Sequence, residues 1–574
     1  MSFQDLPAEI ISLVVHLLAD VHPLSVIRLL RVNKRCFALA LPVAKPLAFH
    51  TVRLPLYYPQ LDKQVATLCA KLQEANALSY VRRLIIEGHF SEDHSTSVPP
   101  QVRRFSPLDR DPRDSYEFGD NDLGGTVWHV YVRETHEHHA CWDTVAGFIK
   151  RLPALEDLHH LHHEQFPPCL LQTLHQHLPR CKLHLGPFVL RSIYAPMAED
   201  HEYRLVTSPS LHSITPCYDT TTPDGMWQKQ IFLRILSLAP NLKVVYPMDD
   251  HFGYEASAVG MNQRRSKFTQ EPGDGRPAAI ECLRIRHAYV PAPAAALEEW
   301  ATYIDFSVLR VLDLRSFIKG EAFEAWADHL HFPALQTLRL LLGTTSSEAE
   351  NLSDVFLRAT RFLQSLPSLS CIYLEAWHSR LSIGTLGGHQ GPRLVKLSVV
   401  GWPFQYVNEH DILQLGRYCP LLEKMSIPIH RTQGDAREVA LYKALGTIRN
   451  LRFLDLVLDV SDPTLYQEQT SIDADWDDID NQYTEEDLEG INRSRNGHIR
   501  RLLVNTLIDE PLASSIFKII SAAKPRDAPL LERMTLIIQG RARSLYVPYC
   551  KFSRLVRLLA SEWTIKRDIR YEHY

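Results

Sequence analysis

Apolar residues recur along most of this chain in one short pattern: an apolar residue, two variable ones, an apolar residue, one variable, and a third apolar residue. Copies are Val81-Leu84-Ile86, Ile280-Leu283-Ile285, Leu309-Leu312-Leu314, Leu335-Leu338-Leu340 and Leu369-Ile372-Leu374. The series continues with Leu394-Leu397-Val399, Leu422-Met425-Ile427, Leu451-Leu454-Leu456, Ile499-Leu502-Val504 and Leu531-Met534-Leu536. Leu155-Leu158, Leu211-Ile214 and Leu242-Val245 are copies that lack the third position. The alternating end of the pattern suits a strand with one buried face, because successive side chains point to opposite sides. From Leu309 to Leu451 the copies start about 25 to 34 residues apart. A proline stands two residues before Leu335, Leu369, Leu394, Leu422 and Leu531.

Between the copies, apolar residues fall at helical spacing from Met226 to Leu238, Ala296 to Ile304, Glu321 to Leu330, Asn351 to Leu366, Glu409 to Tyr418, Ala436 to Leu445 and Leu512 to Ala523. A strand, turn, helix and turn repeated at that period cannot bury its own apolar face. Such units stack on their neighbours into an α/β array.

The first fifty residues follow another rhythm. Leu6, Ile10, Leu13, Val14, Leu17 and Leu18 recur at spacings of three and four, with Pro7 and Glu9 suited to a helix start. His22-Pro23 ends that helix; a second runs from Leu24 through Ile27, Leu30 and Val32, and a third from Lys34 through Phe37 to Leu41, with Pro42 as its stop. Three helices of this size make too small a core to stand comfortably alone, which calls for a neighbour or a partner against an apolar face.

Composition narrows the field without pointing to chemistry. A net charge of −5 over 574 residues gives no global attraction to nucleic acid or to an anionic membrane. The ten cysteines are isolated, with no CxxC pair, and read as reduced thiols of a cytoplasmic or nuclear protein. No apolar run approaches the ~18 residues of a membrane span. Three stretches break the repeat: about 91–126, about 253–277, and 462–497, where acidic residues crowd and no Lys or Arg occurs between Leu458 and Asn492. All three read as surface loops, the acidic one as a mobile insertion.

Histidines cluster in two places: His136, His138 and His139 with Cys141, and His159, His160, His162 and His163 with Cys169. These are metal-ligand types, but neither cluster has a ligand spacing such as HExxH, and histidine occurs 28 times in the chain. No metal site, no cofactor and no catalytic residue is expected; a metal-dependent enzyme using these segments is the contrary reading. Phosphate-loop and nucleophile-elbow motifs are absent from the sequence.

The opening Leu6-Pro7-Ala8-Glu9-Ile10, together with Val32, Lys34-Arg35 and Phe37, resembles an F-box, and the array behind it resembles the leucine-rich-repeat horseshoe that follows the F-box in one branch of that family. Two departures stand out: Pro23 precedes Leu24, and Pro42 to Phe49 replaces the family's terminal tryptophan region. The resemblance implies an F-box at 1–50, a linker with degenerate first repeats and a loop insertion at 51–150, and a repeat array at 151–574. It implies adaptor-binding residues Leu6, Pro7, Glu9, Ile10, Leu17, Leu24, Val32 and Phe37, docking a Skp-type adaptor and through it a cullin. It also implies that residues between and after the repeat leucines form a concave face holding an unknown protein substrate, here Arg315, Arg339, Tyr373 and Glu375, with Trp377 and Trp402 just beyond two strands. The expected role is substrate recognition in a cullin-RING ubiquitin ligase, with no nucleic-acid or membrane partner; a scaffold outside any ligase is the alternative.

Overall fold

The computed structural model describes residues 6–21, 23–57, 61–89, 139–162, 165–190, 199–218, 223–249, 276–287, 295–315, 318–342, 352–402, 405–460, 476–482, 495–539 and 558–567, with single residues 192 and 556. The chain divides into two units, Met1–Ala278 and Ala279–Tyr574. Each is α/β, with a mostly parallel sheet.

The first unit opens with three helices, α1 (Ala8–Val21), α2 (Pro23–Leu29) and α3 (Lys34–Phe49). Ile11, Val15, Val26, Ala40 and Ala44 form their core. Asn33 caps α3, accepting a hydrogen bond from the Cys36 amide at 2.7 Å. The expected stop at Pro42 does not occur: α3 runs through both Pro42 and Pro46. An interior proline loses one backbone hydrogen bond and crowds the preceding turn, at a cost of about 3 kcal/mol. Burial of Ala40 and Ala44 in the three-helix core works against that cost.

The sheet follows at once. It is built from β1 (Thr51–Tyr57), α4 (Leu61–Glu74), β2 (Arg83–His89), α5 (His139–Ile149), β3 (Asp157–His162), α6 (Pro168–His177), β4 (Lys182–Phe188), α7 (Glu199–Val206), β5 (Leu211–Tyr218), α8 (Pro223–Leu238) and the short β6 (Val244–Val245) and β7 (Met248–Asp249). β1 to β6 pair in sequence order, all parallel, and β7 also pairs with β5. The array thus begins at Thr51, one strand before the first copy read from the pattern.

The second unit contains β8 (Cys282–His287), α9 (Ala295–Ala301), β9 (Val311–Arg315), α10 (Gly320–His329), β10 (Thr337–Leu341), α11 (Leu352–Ser365), β11 (Cys371–Trp377), α12 (Ile383–Gln390), β12 (Lys396–Gly401), α13 (Glu409–Tyr418), β13 (Lys424–His430), α14 (Ala436–Gly446) and β14 (Phe453–Asp459). It ends with α15 (Asn496–Thr506), α16 (Glu510–Ala522), β15 (Arg533–Gln539) and β16 (Trp563–Lys566). β8 to β15 pair in order and parallel; β16 closes the series antiparallel to β15.

The repeat pattern has a direct structural meaning. Its second and third apolar positions, such as Leu312 and Leu314 or Leu454 and Leu456, are buried on one face of the sheet, and its first, such as Leu309 or Leu451, is buried just before the strand. The turn into each strand is repeated as well. The Glu281 carbonyl accepts from the amides of both Arg310 and Val311, that of Arg310 from Gln336 and Thr337, and that of Gln336 from Ser370 and Cys371. Ser370, Val395, Glu423 and Arg452 continue this relay to Glu532 and Arg533. Stacking therefore satisfies turn amides as well as burying leucines.

One copy is not a strand. Ile499, Leu502 and Val504 lie on α15, because a spacing of three serves a helix as well as a strand entry. The acidic insertion is also less uniform than its composition suggests. Residues 462–475 and 483–494 lie outside the described residues, but Trp476 to Gln482 form a turn held against α15. The Trp476 ring meets His498 edge-on at 4.6 Å, Asp480 pairs with Arg500 at 2.7 Å, and the Gly497 amide donates to the Asp480 carbonyl. A Cβ on Gly497 would stand 2.6 Å from the Trp476 ring, so glycine is what permits this approach. Among the described residues, no helix is long and apolar enough to cross a membrane.

Candidate functional site

The apolar stripe of α1 is wider than its core contact. Ile11 and Val15 point into the three-helix core, whereas Ile10, Leu13 and Leu17, at i, i+3 and i+7, are 44–57% exposed on another face. Val32, in the turn after α2, and Phe37, in the first turn of α3, are exposed too. Arg35 ties the two helix starts together, its Nη2 donating to the Leu6 carbonyl at 2.7 Å. Of the residues expected to meet an adaptor, Pro7, Glu9, Ile10, Leu17, Val32 and Phe37 are exposed, and Leu6 packs partly against the core. Leu24 lies on α2, with its side chain outside the described residues. Leu13 belongs with the exposed set and was legible from its spacing after Ile10.

The sheet face of the second unit gathers several of the other candidates. Asp313, Arg339 and Tyr373 are cross-strand neighbours on β9, β10 and β11. Arg315 places Nε and Nη2 at 3.2 and 3.3 Å from the two Asp313 carboxylate oxygens. Arg339 lies 3.8 Å from Asp313 and 3.9 Å from Glu375, with its guanidinium 4.5 Å from the Tyr373 ring centre. Arg315, Arg339, Tyr373 and Glu375 therefore form one cluster, but its charges answer one another, with Asp313 at the centre.

The two tryptophans part company. Trp377 is fully buried, its Nε1 donating to the Leu381 carbonyl at 2.8 Å, so it packs the core rather than presenting an anchor. Its position just past the alternating residues of β11, where the register to β12 shifts, turns it inward. Trp402 is half-buried, and its amide donates to the Trp377 carbonyl.

The second histidine cluster is mostly a strand. His160 and His162 share the core side of β3 with Leu158 and pack as aromatic residues, with ring centres 5.7 and 5.6 Å from Trp142. Burial pushes the His160 imidazole down to about 3, so it is neutral near pH 7. On the other side of the strand His159 stacks on His184 at 4.1 Å. Burial first, and then His184 and Arg83, hold its ionisation well below the ordinary histidine range.

His184 bridges Asp157 and Ser213, with Nε2 3.0 Å from Asp157 Oδ1 and Nδ1 2.8 Å from Ser213 Oγ. Burial works against the Asp157 carboxylate, but the His184 hydrogen bond and the charges of His184 and Arg83 outweigh it and bring its pKa down to about 2. An Asp–His–Ser chain activates a serine where donors surround a reacting carbonyl. Here the three residues lie on adjacent strands β3, β4 and β5, where polar neighbours on one sheet face bond as a matter of course. Among the described residues, no group of three or more His, Cys, Asp or Glu side chains is disposed to hold a metal ion. His136 and His138 lie outside the described residues, and His139 and Cys141 are placed only by their backbone on α5.

No family model matches the chain, and no curated protein matches it either.

Proposed function

We propose that the protein is a substrate-recognition subunit of a cullin-RING ubiquitin ligase, with the three N-terminal helices as an F-box docking a Skp-type adaptor and the α/β array as a leucine-rich-repeat solenoid capturing a protein. The observation that carries this reading is the exposed apolar set Ile10, Leu13, Leu17, Val32 and Phe37 on a helix cluster that already has its own core. Large apolar side chains left in water on so small a cluster favour a partner that covers them. Four of the five are residues that the F-box resemblance assigns to adaptor contact. The chain would act by proximity: holding adaptor and substrate together raises the effective concentration of the reacting groups without a catalytic residue of its own.

The test replaces Ile10, Leu17 and Phe37 together by alanine. All three are exposed, so the helix cluster should keep its fold, checked by circular dichroism. Each such side chain contributes on the order of 1.5–3 kcal/mol when fully buried at an interface. Adaptor capture in a pull-down with purified Skp-type adaptor should fall by orders of magnitude. Failure of the wild-type protein to bind any such adaptor removes the ligase reading, and normal binding by the triple variant removes these docking residues.

A further inference from the structure

Lys396 on β12, Lys424 on β13, Phe453 on β14, Arg533 on β15 and Lys566 on β16 form one row, each the register partner of the next. With strands about 4.8 Å apart, the row runs roughly 19 Å across the sheet. Like charges placed opposite one another on a sheet are unfavourable unless something answers them.

Three of the four cations of this row rest on rings. Lys424 Nζ lies 5.5 Å and the Arg533 guanidinium 5.6 Å from the Phe453 ring centre, and Lys396 Nζ lies 4.9 Å from that of Tyr373. Arg452, also 5.6 Å from Phe453, is paired with Glu532. Among the described residues, Lys424, Arg533 and Lys566 make no ion pair. Arg533 Nε is buried without a hydrogen-bond partner. The Phe453 face holds Lys424 and Arg533 in place without neutralising them, and a partly dehydrated cation binds an anion more strongly than a solvated one.

We infer that this row seats an extended acidic peptide of the captured protein, lying across β12–β16 with carboxylates toward Lys396, Lys424, Arg533 and Lys566 and an apolar residue over Phe453. The inference rests on the reading of the array as a protein-capturing surface. A span of roughly 19 Å takes about six extended residues at ~3.3 Å each. A peptide suits the row better than a nucleic acid. Glu423 and Glu532 immediately precede Lys424 and Arg533, and Asp455 follows Phe453 by two residues. A continuous chain of phosphates would run against these carboxylates, whereas discrete side chains can avoid them. A net charge of −5 likewise offers a polyanion no general attraction.

The experiment uses the full chain and fluorescence anisotropy of a labelled eight-residue peptide with alternating aspartates and a central leucine, against the same peptide with asparagines. The aspartate peptide should bind, the asparagine peptide should not, and affinity should fall as salt rises from 50 to 300 mM. The double variant Lys424→Ser/Arg533→Ser should lose at least tenfold, and Lys424→Arg should keep most of the binding. Unfolding midpoints of the variants serve as the folding control. Equal binding to wild type and double variant, or no binding of the aspartate peptide, overturns the inference. Preference for a phosphoserine peptide or single-stranded RNA of equal length also overturns it, by changing the partner's chemistry. The adaptor pull-down is independent: peptide binding without adaptor binding removes the ligase reading and leaves this one standing, and the reverse result does the opposite.

Discussion

Two stretches of one sheet face, β9–β11 and β12–β16, both carry cations and treat them differently. On β9–β11 the carboxylate of Asp313 reaches both Arg315 and Arg339, and Glu375 adds a second contact to Arg339. On β13–β15 Lys424 and Arg533 meet the ring of Phe453 instead, which leaves their charge in place. A count of arginines on strands therefore says little about where a partner binds. The two stretches differ in whether the group beside the cation is a carboxylate or an aromatic ring. Arg315 and Arg339 are held by carboxylates, whereas Lys424 and Arg533 make no ion pair among the described residues.

Removing the central carboxylate should break the compensated half. Asp313→Ala removes the carboxylate that is hydrogen-bonded to Arg315 and ion-paired with Arg339, both mostly buried, and should cost about 2–3 kcal/mol. Urea unfolding measures this directly. A loss below about half a kcal/mol would mean that the cluster is as open as the row beside it.

A third stretch, the core side of β3, sharpens the contrast because burial keeps His160 neutral until acid charges it. Burial sets the folded pKa of His160 at about 3, below its ordinary 6.5. Between those values the unfolded chain binds the proton and the folded chain does not. The contribution of His160 is therefore fully present above about pH 6.5 and lost as pH falls toward 3, by about 1.4 kcal/mol per pH unit. Comparing His160→Phe with wild type isolates this slope from that of the carboxylates. Parallel stability profiles between pH 7 and 4.5 would contradict the assignment.

The smallest effect is expected at Lys424. Lys424→Ser removes a like-charge neighbour of Lys396 but also a cation–π contact, so stability should stay within about 0.5 kcal/mol of wild type. A loss as large as that of Asp313→Ala would erase the distinction between the two halves.

Much of the fold was legible because repeated burial leaves a repeated signal. The leucines of β9 to β14 and the helices from Glu409 to Tyr418 and from Ala436 onward lie where the spacing put them. β4 lacks the pattern because Arg180 stands three residues before Leu183, in the place of the apolar entry residue, and β16 because an antiparallel closing strand lacks the repeat entry. Pro42 misled in the opposite direction, since proline's local penalty is visible in sequence and the packing of Ala40 and Ala44 is not.

The chain's own order of residues determined the period of the array, the side of each strand that is buried, and the three short helices at the start, because backbone geometry ties side-chain direction to spacing. It also placed apolar residues on α1 in excess of what one core needs. Tertiary structure alone decided which of them stay exposed, that Trp377 turns inward, and that Asp313 rather than solvent meets Arg315 and Arg339. Those outcomes depend on neighbours brought together by strand register, and residues as far apart as Lys424 and Arg533 become members of one row only when the sheet forms.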